Sequence, residues 1–137
     1  MPDEDGDVLR KITAKELEAL PDGSEFSVSI EDFDALALAD GRKAIRESFR
    51  VLRDGGTVEL SILDAQWLFE AWRDGRGTDE GLCEIVFGTS RRAVWDERTV
   101  VREGFEAGYF KIWSGRVGFL PIHMLHVKML KYTVLTA

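Results

Sequence analysis

The sequence has little cysteine, little proline and no long apolar run. A single cysteine among 137 residues cannot form a disulfide within the chain, so the fold does not depend on one. With 3 prolines the chain gives no sign of a linker, and no stretch approaches the roughly 18 apolar residues of a membrane span. What remains, 45% hydrophobic and 31% charged residues, is the composition of one globular domain.

Basic residues are also few, and this bears on partners and location. Lys and Arg number 18 against 25 Asp and Glu, a formal net charge of −7. Because nucleic-acid binding normally requires a basic excess or stripe, we expect no nucleic-acid partner. The first residues, Met1–Asp7, are acidic and no apolar run follows them, the reverse of a signal or transit peptide. We therefore expect no membrane contact and a cytoplasmic location.

Local signals alternate between helix and strand along the chain. Thr13 and Glu16 have the spacing of a capping box, which predicts the start of a short helix. Apolar and polar residues alternate from Phe26 to Glu31, as in a strand with one buried face. The remaining predicted elements are helices over 41–53 (with Asp40 as N-cap), after Asp64 and over 96–107, and strands over 57–63, 109–113 and 127–135. This alternation predicts a single α/β domain over 13–137, preceded by an acidic segment over 1–12.

Three tryptophans have positions that predict their surroundings. Trp72 falls on the apolar stripe of the helix after Asp64, and Trp113 falls in a strand, so we predict both in the core. Trp67 lies off that stripe. It either covers a cleft or an interface, or packs inward.

Histidine and cysteine offer little catalytic or metal chemistry. His123 and His126 would share one face of a helix and could form part of a metal site. Because the composition around them favours a strand, which places them on opposite faces, we predict two structural histidines. Cys83 has no second cysteine and no histidine nearby in sequence, so we predict a buried, small apolar side chain.

A carboxylate cluster follows the predicted strand at 26–30. Glu31, Asp32 and Asp34 can in principle act as general acids or bases. The alternative is a hydrated acidic loop.

Residues 44–56, with the sequence AIRESFRVLRDGG, resemble the segment between the fourth and fifth strands of class I S-adenosylmethionine-dependent methyltransferases. Three further segments are similar in the same order: LP and GSEF over 20–26, VELSILD over 58–64, and WDERTVVREGFEAGYF over 95–110. The resemblance covers roughly 13–135 and begins at about the family's third strand. It implies a truncated, Rossmann-like class I methyltransferase sheet with helices on both faces.

The family's main cofactor contacts have no counterpart in the sequence. The family binds its cofactor through a Gly-rich turn after the first strand and an acidic residue that ends the second; the glycines at 75–77 and 115–118 are predicted to be ordinary turns. By the same matching, Glu16 and Leu17 lie near the adenine and Glu31 and Asp32 lie at the mouth of the site. The resemblance implies S-adenosylmethionine as cofactor, bound weakly or not at all by this chain alone.

Three functions remain open. The chain is a methyltransferase subunit completed by another chain, a non-catalytic interaction module, or a binder of another small ligand near Glu16, Glu31 and Asp64. In the family sheet the fourth strand pairs with the first, so the edge of residues 25–31 is expected to be exposed. We therefore expect a homodimer or a heteromeric partner at this edge or over the bare faces, and no methyl transfer by the isolated chain.

Overall fold

The computed structural model describes residues 9–75, 80, 92–119 and 122–133. The strands are β1 (Arg10–Ile12), β2 (Glu25–Ile30), β3 (Leu52–Leu63), β4 (Lys111–Phe119) and β5 (Ile122–Leu130). The helices are α1 (Ala14–Glu18), α2 (Leu38–Val51), α3 (Ala65–Arg73) and α4 (Glu97–Ala107), and a 3-10 turn covers Phe33–Ala35. The α/β class is confirmed.

The strands form one five-stranded sheet in the order β1-β2-β3-β5-β4. β1, β2 and β3 are parallel. β5 runs antiparallel to both of its neighbours, β3 and β4. The three parallel strands therefore end at one common edge, and β4 and β5 form a hairpin-like pair on the other side.

One face of the sheet carries the main core. Alternate residues of the central strands, such as Val28, Leu60 and Val127, are fully or almost fully buried against α1, α2 and α4. The intervening positions form the opposite face, which we call the open face; its polar members on β2, β3 and β5 include Ser27, Ser29, Thr57, Glu59, Ser61, His126 and Lys128. These residues are partly or fully exposed.

Helices do not cover both faces equally. In the described part of the chain, α3 is the helix that packs on the open face, and it does so only at one end, where Trp67 and Ala71 contact Leu63 and Met124. The prediction of helices on both faces is therefore confirmed, with α3 as the helix that the described residues place on the open face. Strands buried on both faces carry nearly continuous apolar runs, whereas β2 alternates as a half-buried strand does.

β1 changes two expectations. Its residues pair in parallel with Val28–Ile30, and the Glu31 amide donates to the Ile12 carbonyl oxygen at 2.8 Å. The last residues of the segment predicted over 1–12 therefore belong to the sheet. The prediction of an exposed edge over 25–31 is wrong where β1 pairs with β2, because β1 is the neighbouring strand of Val28–Ile30 there.

The predicted boundary between the second helix and its strand is also wrong. α2 begins at Leu38, so Asp40 lies in its first turn rather than at the N-cap. β3 starts directly at Leu52 and includes Gly55 and Gly56, which lie between the predicted helix and the predicted strand. Gly56 sits where a Cβ would lie 2.8 Å from the Phe26 carbonyl oxygen, so this glycine allows close approach of two strands.

The hairpin strands are displaced from their predicted positions. β4 extends to Phe119 and so includes the glycines predicted to form a turn at 115–118. β5 covers 122–130 rather than 127–135. Because His123 and His126 both lie in β5, their positions fall on opposite faces of the sheet, as predicted. Among the described residues, no group of three or more His, Cys, Asp or Glu is placed to hold a metal.

Local capping signals identify the helix ends well. The Thr13 capping box, the Asp64 and Asp96 N-caps and the left-handed Gly108 after α4 are all present. The prediction that Trp72 and Trp113 lie in the core is wrong, because Trp72 is 58% exposed and Trp113 is 43% exposed. α3 instead buries Trp67. Cys83 lies outside the described residues.

No helix in the described ranges has the length and apolar character required to cross a membrane.

Candidate functional site

Residues that follow the three parallel strands meet at the carboxyl edge of the sheet. In open α/β sheets ligands bind beyond this edge, at the turns between strands and helices. In this chain the carboxyl edge, as we use the term, comprises residues 13–16 after β1, 31–36 after β2 and 64–67 after β3. It contains three of the four predicted cofactor contacts.

The first turn of α1 is closed by the protein's own side chains. The Thr13 amide donates to Glu16 Oε1 at 2.9 Å, and the Glu16 amide donates to Thr13 Oγ1 at 3.2 Å. The Ala14 amide donates to Asp32 Oδ1 at 2.9 Å. Amides at a helix start are where an α/β fold can receive an anionic ligand group. At α1 these three donors already have acceptors.

The four predicted contacts therefore have different surroundings. Glu16 and Asp32 are brought together at the start of α1, where both accept backbone hydrogen bonds. Glu31 is exposed and accepts a hydrogen bond from Ser29 Oγ at 2.7 Å. Leu17 has no exposed surface and belongs to the core. Cofactor binding by these four residues remains a prediction.

Two further aspartates tie the carboxyl edge together. Asp34 Oδ1 accepts the Leu63 amide at 3.1 Å, which joins the turn after β2 to the end of β3. Asp64 is 2% exposed and accepts the Gln66 amide at 3.1 Å as the N-cap of α3. Its other oxygen, Oδ2, lies 2.5 Å from Arg116 Nε. The guanidinium compensates the buried carboxylate, which would otherwise be costly.

Arg116 is the residue that sequence reasoning missed. It was assigned to a turn, whereas it lies in β4 and contacts Asp64 from across the sheet. No local spacing signals such a pair, because its two members are brought together by strand order alone.

A cleft of about 290 Å³ lies next to this edge, between α1 and α2. Asp32 is the predicted residue that lines it; Glu16, Glu31 and Asp64 do not. Its other lining residues are Ala14, Lys15, Glu18, Leu36, Asp40, Lys43, Ala44 and Glu47. Lys43 Nζ lies 3.2 Å from Glu18 Oε2. The cleft thus offers both signs of charge beside apolar surface from Ala14, Leu36 and Ala44.

Trp95 contacts two of the three segments that form the carboxyl edge. Its carbonyl oxygen accepts the Ala65 amide at 3.2 Å, and its ring packs on Phe33 with centroids 5.2 Å apart. A Cβ on Gly41 would lie 2.6 Å from Trp95 Cζ2, so α2 needs glycine where it crosses the indole. The indole Nε1 is buried and has no hydrogen-bond partner among the described residues.

Comparison with known proteins supports the fold. No family model matches the chain, and no curated protein does. A possible exported protein from Bordetella parapertussis matches with a TM-score of 0.62 and 13% identity over 85% of this chain and 42% of that one. Phosphoethanolamine N-methyltransferase 2 from Haemonchus contortus, solved with S-adenosylhomocysteine, matches with a TM-score of 0.60 and 12% identity over 83% of this chain and 35% of that one.

A third structure is a possible histamine N-methyltransferase from Thermotoga maritima. Its TM-score is 0.55, with 15% identity over 82% of this chain and 59% of that one. The chain thus spans less than two thirds of the length of each of these structures. At such low identity the similarity shows the fold, which is that of the Rossmann-like S-adenosylmethionine-dependent methyltransferases.

Proposed function

We propose that this chain is an S-adenosylmethionine methyltransferase-type domain that does not bind the cofactor or transfer methyl groups by itself. The observation that carries this proposal is the occupied start of α1. β1 takes the place beside β2 that the family's first strand holds, and the helix that follows it has no Gly-rich turn. The amides of Thr13, Ala14 and Glu16 are bonded to side chains of this chain.

Charge at this position also opposes the cofactor. The methionine end of S-adenosylmethionine carries a carboxylate, which needs hydrogen-bond donors or positive charge. The resemblance assigned Glu16 to the adenine, but β1 lies beside β2 in the place of the family's first strand, so the start of α1 is the position that would meet this carboxylate. Here the acceptors Glu16 and Asp32 carry carboxylates of their own. A ligand carboxylate would meet like charges and would have to displace two internal hydrogen bonds, each of which contributes about 1 kcal/mol.

The residues on the adenine side also do not form a surface that would bind the adenine. Leu17, the residue of α1 that the resemblance assigns to this side, is fully buried. The adjacent cleft is lined by charged side chains, whereas small-molecule sites are predominantly apolar with a few placed polar groups.

Completion of the site by a partner is the alternative. Two observations weigh against it: β1 already pairs with β2, and the open face carries hydroxyl and charged groups instead of the apolar residues that a covering helix would need. A homodimer or heteromer through residues 25–31 is a separate expectation, and it stays a prediction. Light scattering that finds a monodisperse monomer at micromolar concentration would count against it.

Titration calorimetry tests the proposal. We expect no saturable heat when S-adenosylmethionine or S-adenosylhomocysteine is added to millimolar concentration. Saturable binding in the micromolar range would overturn the proposal. The variant Asp32→Ala frees the Ala14 amide and removes one carboxylate. Weak binding by this variant, with none by the unmodified chain, would identify the occupied helix start as the cause. Ser29→Ala, which leaves α1 untouched, is the matched control.

A further inference from the structure

Three polar side chains on the open face form a connected hydrogen-bonded group, and none of them belongs to the carboxyl edge. Ser61 and Glu59 lie on β3, two residues apart and therefore on the same face. His126 lies on β5 directly opposite Ser61. The Ser61 Oγ to His126 Nδ1 distance is 3.2 Å, and the His126 Nε2 to Glu59 Oε1 distance is 3.1 Å.

The chemistry of the partners fixes the direction of these bonds. The Glu59 carboxylate is an acceptor only, so the Nε2 that faces it carries the proton in the neutral imidazole. Nδ1 then presents a lone pair, and the Ser61 hydroxyl must donate to it. A carboxylate that sets the histidine tautomer, and a histidine that accepts a serine proton, are the relations that activate a serine nucleophile.

The surroundings of the group leave Ser61 accessible. Ser61 itself is exposed, and no helix covers the group among the described residues. On β4, the residue opposite His126 is Gly115, and a Cβ there would have no neighbour within 4 Å. One step beyond Ser61 and His126 on this face lies the pair Leu63 and Met124, whose cluster includes the partly buried Leu68.

We propose that Ser61 is a nucleophile activated by His126, which Glu59 orients, and that it accepts acyl groups with a short apolar chain from activated esters. The apolar chain would lie along Met124 and Leu68. This inference is independent of the proposal on S-adenosylmethionine, because none of its residues lies at the carboxyl edge.

The reaction proceeds in two balanced steps. Ser61 Oγ attacks the ester carbonyl carbon while His126 Nδ1 takes the hydroxyl proton; the bond to the leaving alcohol breaks, and the alcohol departs with that proton. Water then attacks the acyl-serine, again with its proton passing to Nδ1, and Ser61 recovers a proton as the carboxylic acid leaves. The sum is ester and water to acid and alcohol.

An alkyl fluorophosphonate tests the nucleophile directly, because its phosphorus bonds to an activated serine and releases fluoride. Intact mass and peptide mapping of the full chain should find a single adduct, on Ser61. His126→Gln should slow labelling by about a hundredfold or more, the usual contribution of a positioned base. Glu59→Gln, which keeps the shape but not the charge, should give an intermediate rate.

Matched controls separate activation from mere exposure. Ser29 also lies on the open face and donates to the Glu31 carboxylate, and no histidine bonds to it in the part of the chain that the structure describes. The Ser29→Ala variant should therefore be labelled at the unmodified rate, and Ser29 itself should stay unlabelled. Circular dichroism checks that each variant is folded. Failure to label Ser61, or labelling at an equal rate in folded His126→Gln, would overturn the proposal.

Discussion

At the scale of single residues, the buried pair Ser48 and Tyr109 connects α2 to the chain that follows α4. Their hydroxyl oxygens lie 2.6 Å apart, and Ser48 Oγ also donates to the Ile45 carbonyl oxygen at 2.7 Å. Since Ser48 has one proton, the Tyr109 hydroxyl is the donor between them. Burial raises the pKa of Tyr109 well above its ordinary value.

We predict that Ser48→Ala costs more stability than Tyr109→Phe, although each substitution removes one hydroxyl oxygen. Ser48→Ala leaves the buried Tyr109 hydroxyl without its partner, at about 1–3 kcal/mol. Tyr109→Phe removes the donor and leaves Ser48 bonded to Ile45, at about 1 kcal/mol. Chemical denaturation of both variants measures the difference. A larger loss for Tyr109→Phe would contradict the assignment of donor and acceptor.

Residue roles at the carboxyl edge were predictable only where they are local. The Thr13 and Glu16 spacing revealed their reciprocal caps because both lie within one helical turn. The Ala14 to Asp32 bond and the Asp64 to Arg116 pair depend on the packing of separate strands, which no spacing encodes. Glu16 and Asp32 were both predicted as cofactor contacts from the resemblance. Of their hydrogen bonds to the start of α1, the sequence predicted only that of Glu16.

At the scale of elements, two strand glycines make a controlled comparison. A Cβ on Gly56 would lie 2.8 Å from the Phe26 carbonyl oxygen and 2.9 Å from that of Arg53, both backbone atoms, whereas a Cβ on Gly115 meets nothing within 4 Å. We expect Gly56→Ala to lose about 1–3 kcal/mol of unfolding free energy. Gly115→Ala should change it by no more than about 0.5 kcal/mol. Equal effects in thermal or chemical denaturation would show that strand spacing does not require Gly56.

The start of α4 gives a pH-dependent prediction. Asp96 accepts the Thr99 amide at 2.8 Å, and the hydrogen bonds to Thr99 hold the pKa of Asp96 below its ordinary value of 3.8. The folded state therefore favours the ionised form, and this stability is present above the unfolded pKa and lost as pH falls through the lower folded value. Asp96→Ala should cost about 1 kcal/mol near neutral pH.

The cost of Asp96→Ala should shrink below about pH 4. Asp96→Asn keeps a capping acceptor without the charge, so it should cost less and show no such pH dependence. A loss for Asp96→Ala that stays constant from pH 7 to pH 3 would contradict the ionised cap.

Helices were predicted better than strands for a physical reason. N-caps and capping boxes act within four residues, so the starts of α1, α3 and α4 could be identified from the sequence. The limits of β3 depend on its neighbours: Gly55 donates to the Lys131 carbonyl oxygen and Lys131 donates to that of Gly56. These pairings keep the glycines in the sheet, where local preference indicated a turn.

At the scale of the whole molecule, residue pattern and family resemblance gave different expectations for the sheet. Alternation over 26–31 predicted a strand with one buried face, and the burial of Val28 and Ile30 beside the partly exposed Ser27 and Ser29 confirms it. The resemblance predicted helices on both faces, and α3 is the helix that the described residues place on the open face. The pattern added which strand residues are exposed, because alternating polarity reflects the solvent exposure of this chain's own strands.

Thr13, Glu16 and Asp32 close the start of α1 to S-adenosylmethionine, and one measurement tests this most directly. An NMR titration of the ¹⁵N-labelled chain with S-adenosylhomocysteine follows the amides of Thr13, Ala14 and Glu16 directly. We predict that these three resonances do not shift with ligand concentration and that the three amide protons exchange slowly with solvent. Saturable shifts of all three amides would show that the cofactor displaces the internal caps, so that the start of α1 is open to it.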